Sequence, residues 1–233
     1  MGAVREVVKN LGPETADKDD QKHLVNALAQ LAAAKGELFE TQIKDSLRTA
    51  GSPENQTLPV EAVIDWTTET HAYTSKENTA IGDAVGKALK SFCSGSKDNI
   101  LSGVAGLVND SLSAFLGNAS ASDVSMKKYY VLSEGMSIVR VDILAWQLNV
   151  EAKGVQTLME KVGSFVAVKS TVDLNAVKFN TFLNLYARQL ESMKLSDLEL
   201  SAALDEATKI FNRFHPGVQQ SPLAPLRVAS QPG

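Results

Sequence analysis

The sequence predicts a single α+β domain in which amphipathic helices cover an antiparallel β-meander. Three observations predict it. Apolar residues recur at helical spacing in several separate stretches, residues 127–174 switch largely to a period of two, and a glycine-containing turn divides that region into a hairpin. A chain of 233 residues is long enough to bury most of its unfolded surface without a disulfide or a structural metal.

Residues 1–16 read as a polar arm, 17–214 as the domain, and 215–233 as a mobile tail punctuated by Pro216, Pro222, Pro225 and Pro232. Leu24, Val25, Leu28, Leu31 and Ala32 begin a helical stripe that Leu38, Phe39, Ile43 and Leu47 continue. Gly36 is either a cap between two helices or an interruption within one. Gly51-Ser52-Pro53-Glu54-Asn55 is a loop. From Val60 to Thr74, the β-branched and aromatic residues Ile64, Trp66, Thr67, Thr68, Thr70 and Tyr73 predict a half-exposed strand, with a short helix opened by Pro59 as the alternative.

Two amphipathic helices follow, over 78–93 and 99–117. Ile81, Val85, Ala88, Leu89 and Phe92 form the first stripe. Ile100, Val104, Val108, Leu112 and Phe115 form the second, which Leu101, Leu107 and Leu116 widen beyond one buried face. Tyr129-Tyr130-Val131-Leu132, the three-residue turn Ser133-Glu134-Gly135 and the arm Met136–Val150 predict a hairpin. In that arm Val139, Val141 and Ile143 alternate in one phase and Leu144, Trp146, Leu148 and Val150 in the other, which predicts a β-bulge near Ile143-Leu144. Phe165 to Leu174 reads as a strand with Val166, Val168, Val172 and Leu174 on one face. Val177 to Met193 fits helix or strand, and its length favours helix. Ser196 and Glu199 form a capping box before a helix lined by Leu200, Ala203, Ala207, Ile210, Phe211 and Phe214.

Composition narrows the function. Hydrophobic residues make up 44% and charged residues 21%, and 23 basic against 27 acidic side chains leave a net charge of −4. That balance argues against a nucleic-acid partner and a polybasic membrane tether. Cys93 is the one cysteine, so no internal disulfide forms. The N-terminus lacks a signal-peptide apolar run, Glu6 spoils a myristoylation start at Gly2, and no stretch is long and uncharged enough to span a bilayer. Cytoplasmic synthesis is expected, with non-classical export left open. The glycosylation-type triplets at Asn55, Asn109 and Asn118 are read as chance.

Catalytic signatures are missing. His23, His71 and His215 lack partners at zinc-ligand spacing, and neither metal nor cofactor is expected. Asp65, Glu69 and His71 would share a strand face and could form an acid/base or metal set, but a solvated threonine-rich face is the better reading. Cys93 has no local histidine to activate it. Gly82-Asp83-Ala84-Val85-Gly86-Lys87-Ala88 fails as a phosphate loop because Ala88 stands where a magnesium-binding hydroxyl is needed. Trp66, Trp146 and the tyrosines read as core before they read as a stacking platform. The balance leans away from an enzyme.

The helix pair 78–117 is the most suggestive feature. Lys87 and Lys90 are charged in the first helix, and Asp110 is the one charge after the cap region of the second. Besides covering the sheet, such helices gain by burying apolar area at a bilayer interface. The lipid-facing candidates are Ile100, Leu101, Val104, Leu107, Val108, Leu112, Phe115 and Leu116, with Cys93 at the stripe's margin as an S-acylation candidate. Ala88-Leu89-Lys90, then Asp98 to Leu116, then the tyrosine-started strand at Tyr129-Tyr130 give Gly82–Leu148 an element order that resembles the cytolytic (Cyt-type) delta-endotoxins and their fungal volvatoxin relatives. Those families place an amphipathic helix pair before a β-hairpin and further long strands. After Asp173 this chain turns helical where they continue in strands. The resemblance implies a membrane-active, toxin- or virulence-type protein that binds lipid without catalysis.

The leading expectation is therefore a non-catalytic protein whose partner is a lipid or membrane surface. The alternatives are a small-molecule enzyme or carrier with a pocket between sheet and helices, anchored by Arg140 and Asp142, and a self-assembling homo-oligomer whose strand edges pair.

Overall fold

Four antiparallel strands form one sheet between helices on both faces in the computed structural model, which describes residues 18–73, 79–92, 96–116, 123–149, 161–193 and 195–215. In chain order the elements are α1 (Lys18–Arg48), β1 (Val60–Tyr73), α2 (Thr79–Phe92), α3 (Asp98–Leu116), β2 (Asp123–Glu134), β3 (Ser137–Asn149), β4 (Lys161–Val172), α4 (Phe179–Ser192) and α5 (Asp197–Phe214). The fold is α+β, as expected. The strand order is β1-β4-β3-β2, so β2, β3 and β4 make the meander and β1 pairs along its far side. The predicted arm at 1–16, most of the predicted tail and Cys93 lie outside the described residues.

Helix α1 runs unbroken through Gly36. A Cβ there would lie 3.2 Å from the Thr68 methyl of β1, so glycine lets the helix cross the strand closely. At Gly51 φ is +85°, and a Cβ would meet Pro59 at 2.8 Å. The loop between α1 and β1 therefore requires glycine twice over.

The β2–β3 hairpin differs from expectation in its turn and its regularity. Glu134 pairs with Ser137, leaving the two-residue turn Gly135-Met136, and Gly135 takes φ +59°. The bulge expected near Ile143-Leu144 is absent. Both registers of β3 run without a shift from one end to the other. The change of phase has another cause, because residues 138–147 are all buried and both faces of β3 are covered. Val139, Val141, Ile143 and Ala145 join one core, and Leu144 and Trp146 join the other. A strand covered on both sides has no need for strict alternation. The register shifts that do occur are in β1, between Val60 and Ala62 and between Val63 and Asp65.

On the first face α1 packs Ala32, Phe39, Ile43 and Leu47 against Leu144, Trp146, Val162, Val166 and Val168. On the second, α2 to α5 bring Leu89, Phe92, Ile100, Val104, Val108, Leu112, Phe182, Tyr186, Leu190, Ala207 and Phe211 to the opposite side of the same strands. The predicted common face for Val166, Val168, Val172 and Leu174 is thus corrected. The first two belong to the α1 core and the last two to the other, because β4 ends at Val172 and the chain leaves the sheet.

The ambiguous stretch is helix α4. Phe182, Tyr186 and Leu190 recur every four residues and are wholly buried, and Phe182 stacks on Phe211 of α5 with ring centroids 5.8 Å apart. Helix α5 starts at the expected capping box. Ser196 Oγ accepts a hydrogen bond from the Glu199 backbone N–H at 3.4 Å, and the Glu199 carboxylate accepts one from the Ser196 N–H at 3.0 Å. Bonds donated to the Glu199 carboxylate by the Ser196 hydroxyl, at 2.7 Å, by the Ser196 N–H and by Asn99 hold its carboxyl below the usual glutamate range.

Two predictions follow from this packing. Ser196→Ala removes the cap and should cost about 1 kcal/mol in urea denaturation. Tyr186 lies wholly buried beside Ser133, and burial, aided by the charge of Glu206, pushes its phenol up to about 12. A raised phenol favours the folded state fully below pH ~10 and loses that contribution as pH rises toward ~12. Tyr186→Phe should therefore flatten the fall of the melting temperature across that alkaline window. An unchanged slope would show that other groups govern alkaline unfolding.

Candidate functional site

Arg140 and Asp142, expected as the polar anchors of a pocket, form instead a buried ion pair on the α1 side of the sheet. Being two apart on β3, they point the same way. Arg140 Nε and Nη2 each donate to an Asp142 carboxylate oxygen at 2.7 Å. Nη1 donates to the Leu58 carbonyl at 2.7 Å and to Thr57 Oγ1 at 3.0 Å, and the guanidinium lies 4.2 Å over the Tyr129 ring. Burial pushes the Asp142 carboxyl up, and the bonded guanidinium pulls it back. With all these donors engaged by the protein, the pair serves to clamp the loop before β1 and leaves little for a ligand.

That clamp continues outward. Thr57 Oγ1 donates to Asn55 Oδ1 at 3.0 Å, and Asn55 Nδ2 donates to the Ser46 carbonyl at 2.8 Å and to Thr49 Oγ1 at 3.1 Å. The Asn55 side-chain amide is thus built into the fold, which agrees with reading its glycosylation-type triplet as chance. Lys127 Nζ donates to Ser46 Oγ at 2.7 Å and ties β2 to the same end of α1.

Among the described residues the lipid-facing candidates occupy two environments. Ile100, Val104, Val108 and Leu112 are at most 1% exposed and pack on the sheet. Leu101, Leu107 and Phe115 are half-buried along the flanks of α3. The Leu116 side chain and Cys93 lie outside the described residues. In the folded state the stripe therefore faces the protein, and lipid would reach it only if the helix moved away.

Side-chain hydrogen bonds tie the α2–α3 pair to the body. Lys169 of β4 donates to the Phe92 carbonyl at the end of α2 and also pairs with Glu134 at 2.5 Å. Gln147 Nε2 donates to the Phe115 carbonyl at 3.0 Å, near the end of α3. Midway along α3, Ser111 Oγ accepts from Lys128 Nζ at 2.9 Å and from the Tyr130 hydroxyl at 3.2 Å. Lys97, just before α3, pairs with Glu206 of α5.

Between α3, α4 and the outer edge of β2 lies a cavity of about 290 Å³, lined by Leu107, Ser111, Lys128, Tyr129, Tyr130, Val131, Leu185, Gln189 and Ser192. Gln189 completes the strand edge in its wall. Its Oε1 accepts from the Val131 N–H at 2.7 Å and its Nε2 donates to the Val131 carbonyl at 2.5 Å, so the amide imitates a neighbouring strand. The alternative reading of a pocket between sheet and helices placed its anchors at Arg140 and Asp142, and neither lines this cavity. Gln189 and Lys128 lie 61 positions apart, and no local pattern signals their meeting.

The remaining candidates are less informative. Asp65, Glu69 and His71 occupy alternate positions of β1, and Asp65 accepts a hydrogen bond from the Trp66 N–H at 2.8 Å. Among the described residues no group of three His, Cys, Asp or Glu side chains could hold a metal. Gly82 to Ala88 lie within helix α2, so they form no phosphate loop. Trp146 is core, and Trp66 is half-covered by Lys44, whose Nζ lies 4.3 Å over the ring. No described helix is long and apolar enough to cross a membrane.

The ion pair gives a test of its structural role. Asp142→Ala strands a buried guanidinium and should cost roughly 3–5 kcal/mol, whereas the double change Arg140→Met with Asp142→Leu should cost distinctly less. Urea denaturation of both variants checks the order, and a double variant less stable than the single one would contradict it.

No protein-family model matches the sequence and no curated protein matches it, so the likeness to the Cyt-type toxins rests on element order alone.

Proposed function

We propose that this protein is a non-catalytic, lipid- or membrane-interacting protein of toxin or virulence type, in which the α2–α3 pair is the lipid-contacting element. The observation that carries this reading is the character of α3. From Ile100 to Phe115 it offers a continuous apolar row with Asp110 as its one charge, and its outer flank borders an incompletely packed seam at β2.

Magnitudes favour an exchange of partners over simple exposure. Moving Ile100, Val104, Val108 and Leu112 from core to water would cost on the order of 10 kcal/mol. Moving them into a bilayer interface restores much of that apolar burial. What then opposes release is chiefly the polar ties at Ser111, Phe92 and Phe115, each worth about 1 kcal/mol. A set of that size can hold the pair in solution and yield at a surface. Acylation of Cys93 would add to the same attraction.

The test is co-sedimentation of the full chain with vesicles of phosphatidylcholine alone and of phosphatidylcholine with phosphatidylserine. Binding to at least one is expected. The paired change Leu101→Asp with Leu107→Asp, at half-buried positions, should weaken it at least tenfold while circular dichroism stays unchanged. Failure of the unaltered chain to bind either vesicle would overturn the reading. If the double variant loses its fold, Leu101→Ser and Leu107→Ser separately supply the comparison.

A further inference from the structure

We propose that the cavity at the β2 edge is a binding site for a small amphipathic carboxylate, a singly charged acid with a short apolar body. This stands on the cavity's own chemistry and holds whether or not the α2–α3 pair meets lipid.

The lining is rich in hydrogen-bond donors and carries charge of one sign. Lys128 supplies an ammonium, and among the described residues no carboxylate lines the space, although the chain as a whole is acidic at −4. Ser111 Oγ already accepts from Lys128 and from Tyr130, which leaves its own proton to donate. Burial raises the Tyr130 phenol, so it stays protonated at neutral pH and keeps pointing its proton at Ser111. Gln189 uses one amide proton and its carbonyl oxygen on Val131, leaving its second proton unassigned to that edge. The three groups thus converge as donors from β2, α3 and α4. An oxyanion is the complement of such a set.

The rest of the wall is apolar. Leu107 from α3 and Leu185 from α4 flank the space, with the strand at Tyr129 and Val131 alongside. A volume near 290 Å³ sits at the low end of small-molecule sites, which suits a ligand of roughly ten non-hydrogen atoms rather than a long acyl chain. A bare inorganic anion would leave the leucines uncovered, and a neutral alcohol would offer the ammonium no opposite charge. The composition of the wall therefore selects for both halves of the ligand at once.

The experiment is calorimetric titration of the full chain with sodium octanoate, octanol and inorganic phosphate, with amide chemical shifts to locate the site. Octanoate should bind at least tenfold more tightly than either of the others and should shift the Val131 and Gln189 amide signals. Lys128→Gln should weaken octanoate at least tenfold and leave octanol unchanged. Leu185→Trp, which fills the space, should abolish octanoate binding.

Equal binding of octanoate and octanol, or no loss on Lys128→Gln, would overturn the charged half of the proposal. Phosphate binding as tightly as octanoate would overturn the apolar half. Shifts confined to other parts of the chain would overturn the site itself. Vesicle binding by Lys128→Gln, measured alongside, separates this outcome from that of the lipid reading, since the cavity can fail while the helix pair still binds membrane.

Discussion

The bidentate pair between Arg140 and Asp142 is the constraint around which the rest of the structure is arranged. A guanidinium with no exposed surface is tolerable only where its donors find acceptors. Here two donors meet Asp142 and a third meets the loop before β1. The position of that loop decides where β1 begins and how α1 lies across the sheet. The polar chain from Thr57 through Asn55 to Ser46 and Thr49 carries the constraint to the last turn of α1. Lys127 adds a tie from β2. One ionic pair thus coordinates a helix, a loop and three strands.

The two faces of the sheet are built differently. The α1 face combines an apolar half, around Trp146 and Val166, with this polar half around Arg140. The opposite face is larger and mainly apolar, with Lys169 as a buried exception held by Glu134 and the end of α2. Such a division explains why α1 can be one long helix while the other face needs four shorter ones. A single rod covers a narrow stripe, and the wider surface requires helices side by side.

Edge strands shape the remaining features. At β2 the amide of Gln189 takes the place of a neighbouring strand for one residue, blunting an edge that would otherwise invite pairing. The donor-lined cavity lies beside it, between α3, α4 and the strand edge. At β1 two register shifts twist the strand, and Val63 and Ile64 remain half exposed. Both shifts fall before Asp65, and from there to Tyr73 the pairing with β4 is regular. The lipid and ligand proposals concern the α3 side of the molecule.

By itself the sequence determined the α+β class, the order of nearly every element and the capping box of α5, because each is written in local spacing. Ser196 and Glu199 are three apart, and helix or strand periods repeat within a few residues. It also supplied the apolar row of α3, which depends on that helix alone. Tertiary structure decided which of two equal-looking patterns applied. The change of phase at Ile143-Leu144 reads as a bulge until helices are seen on both faces, and Gly36 reads as either a cap or an interruption until Thr68 is found against it. Arg140 and Asp142 read as a pocket until Leu58 and Thr57 close over them, from 82 and 83 positions away. The cavity residues likewise come from α3, β2 and α4. Spacing along the chain records what a residue's own element needs, whereas a site made by three elements exists only once they pack.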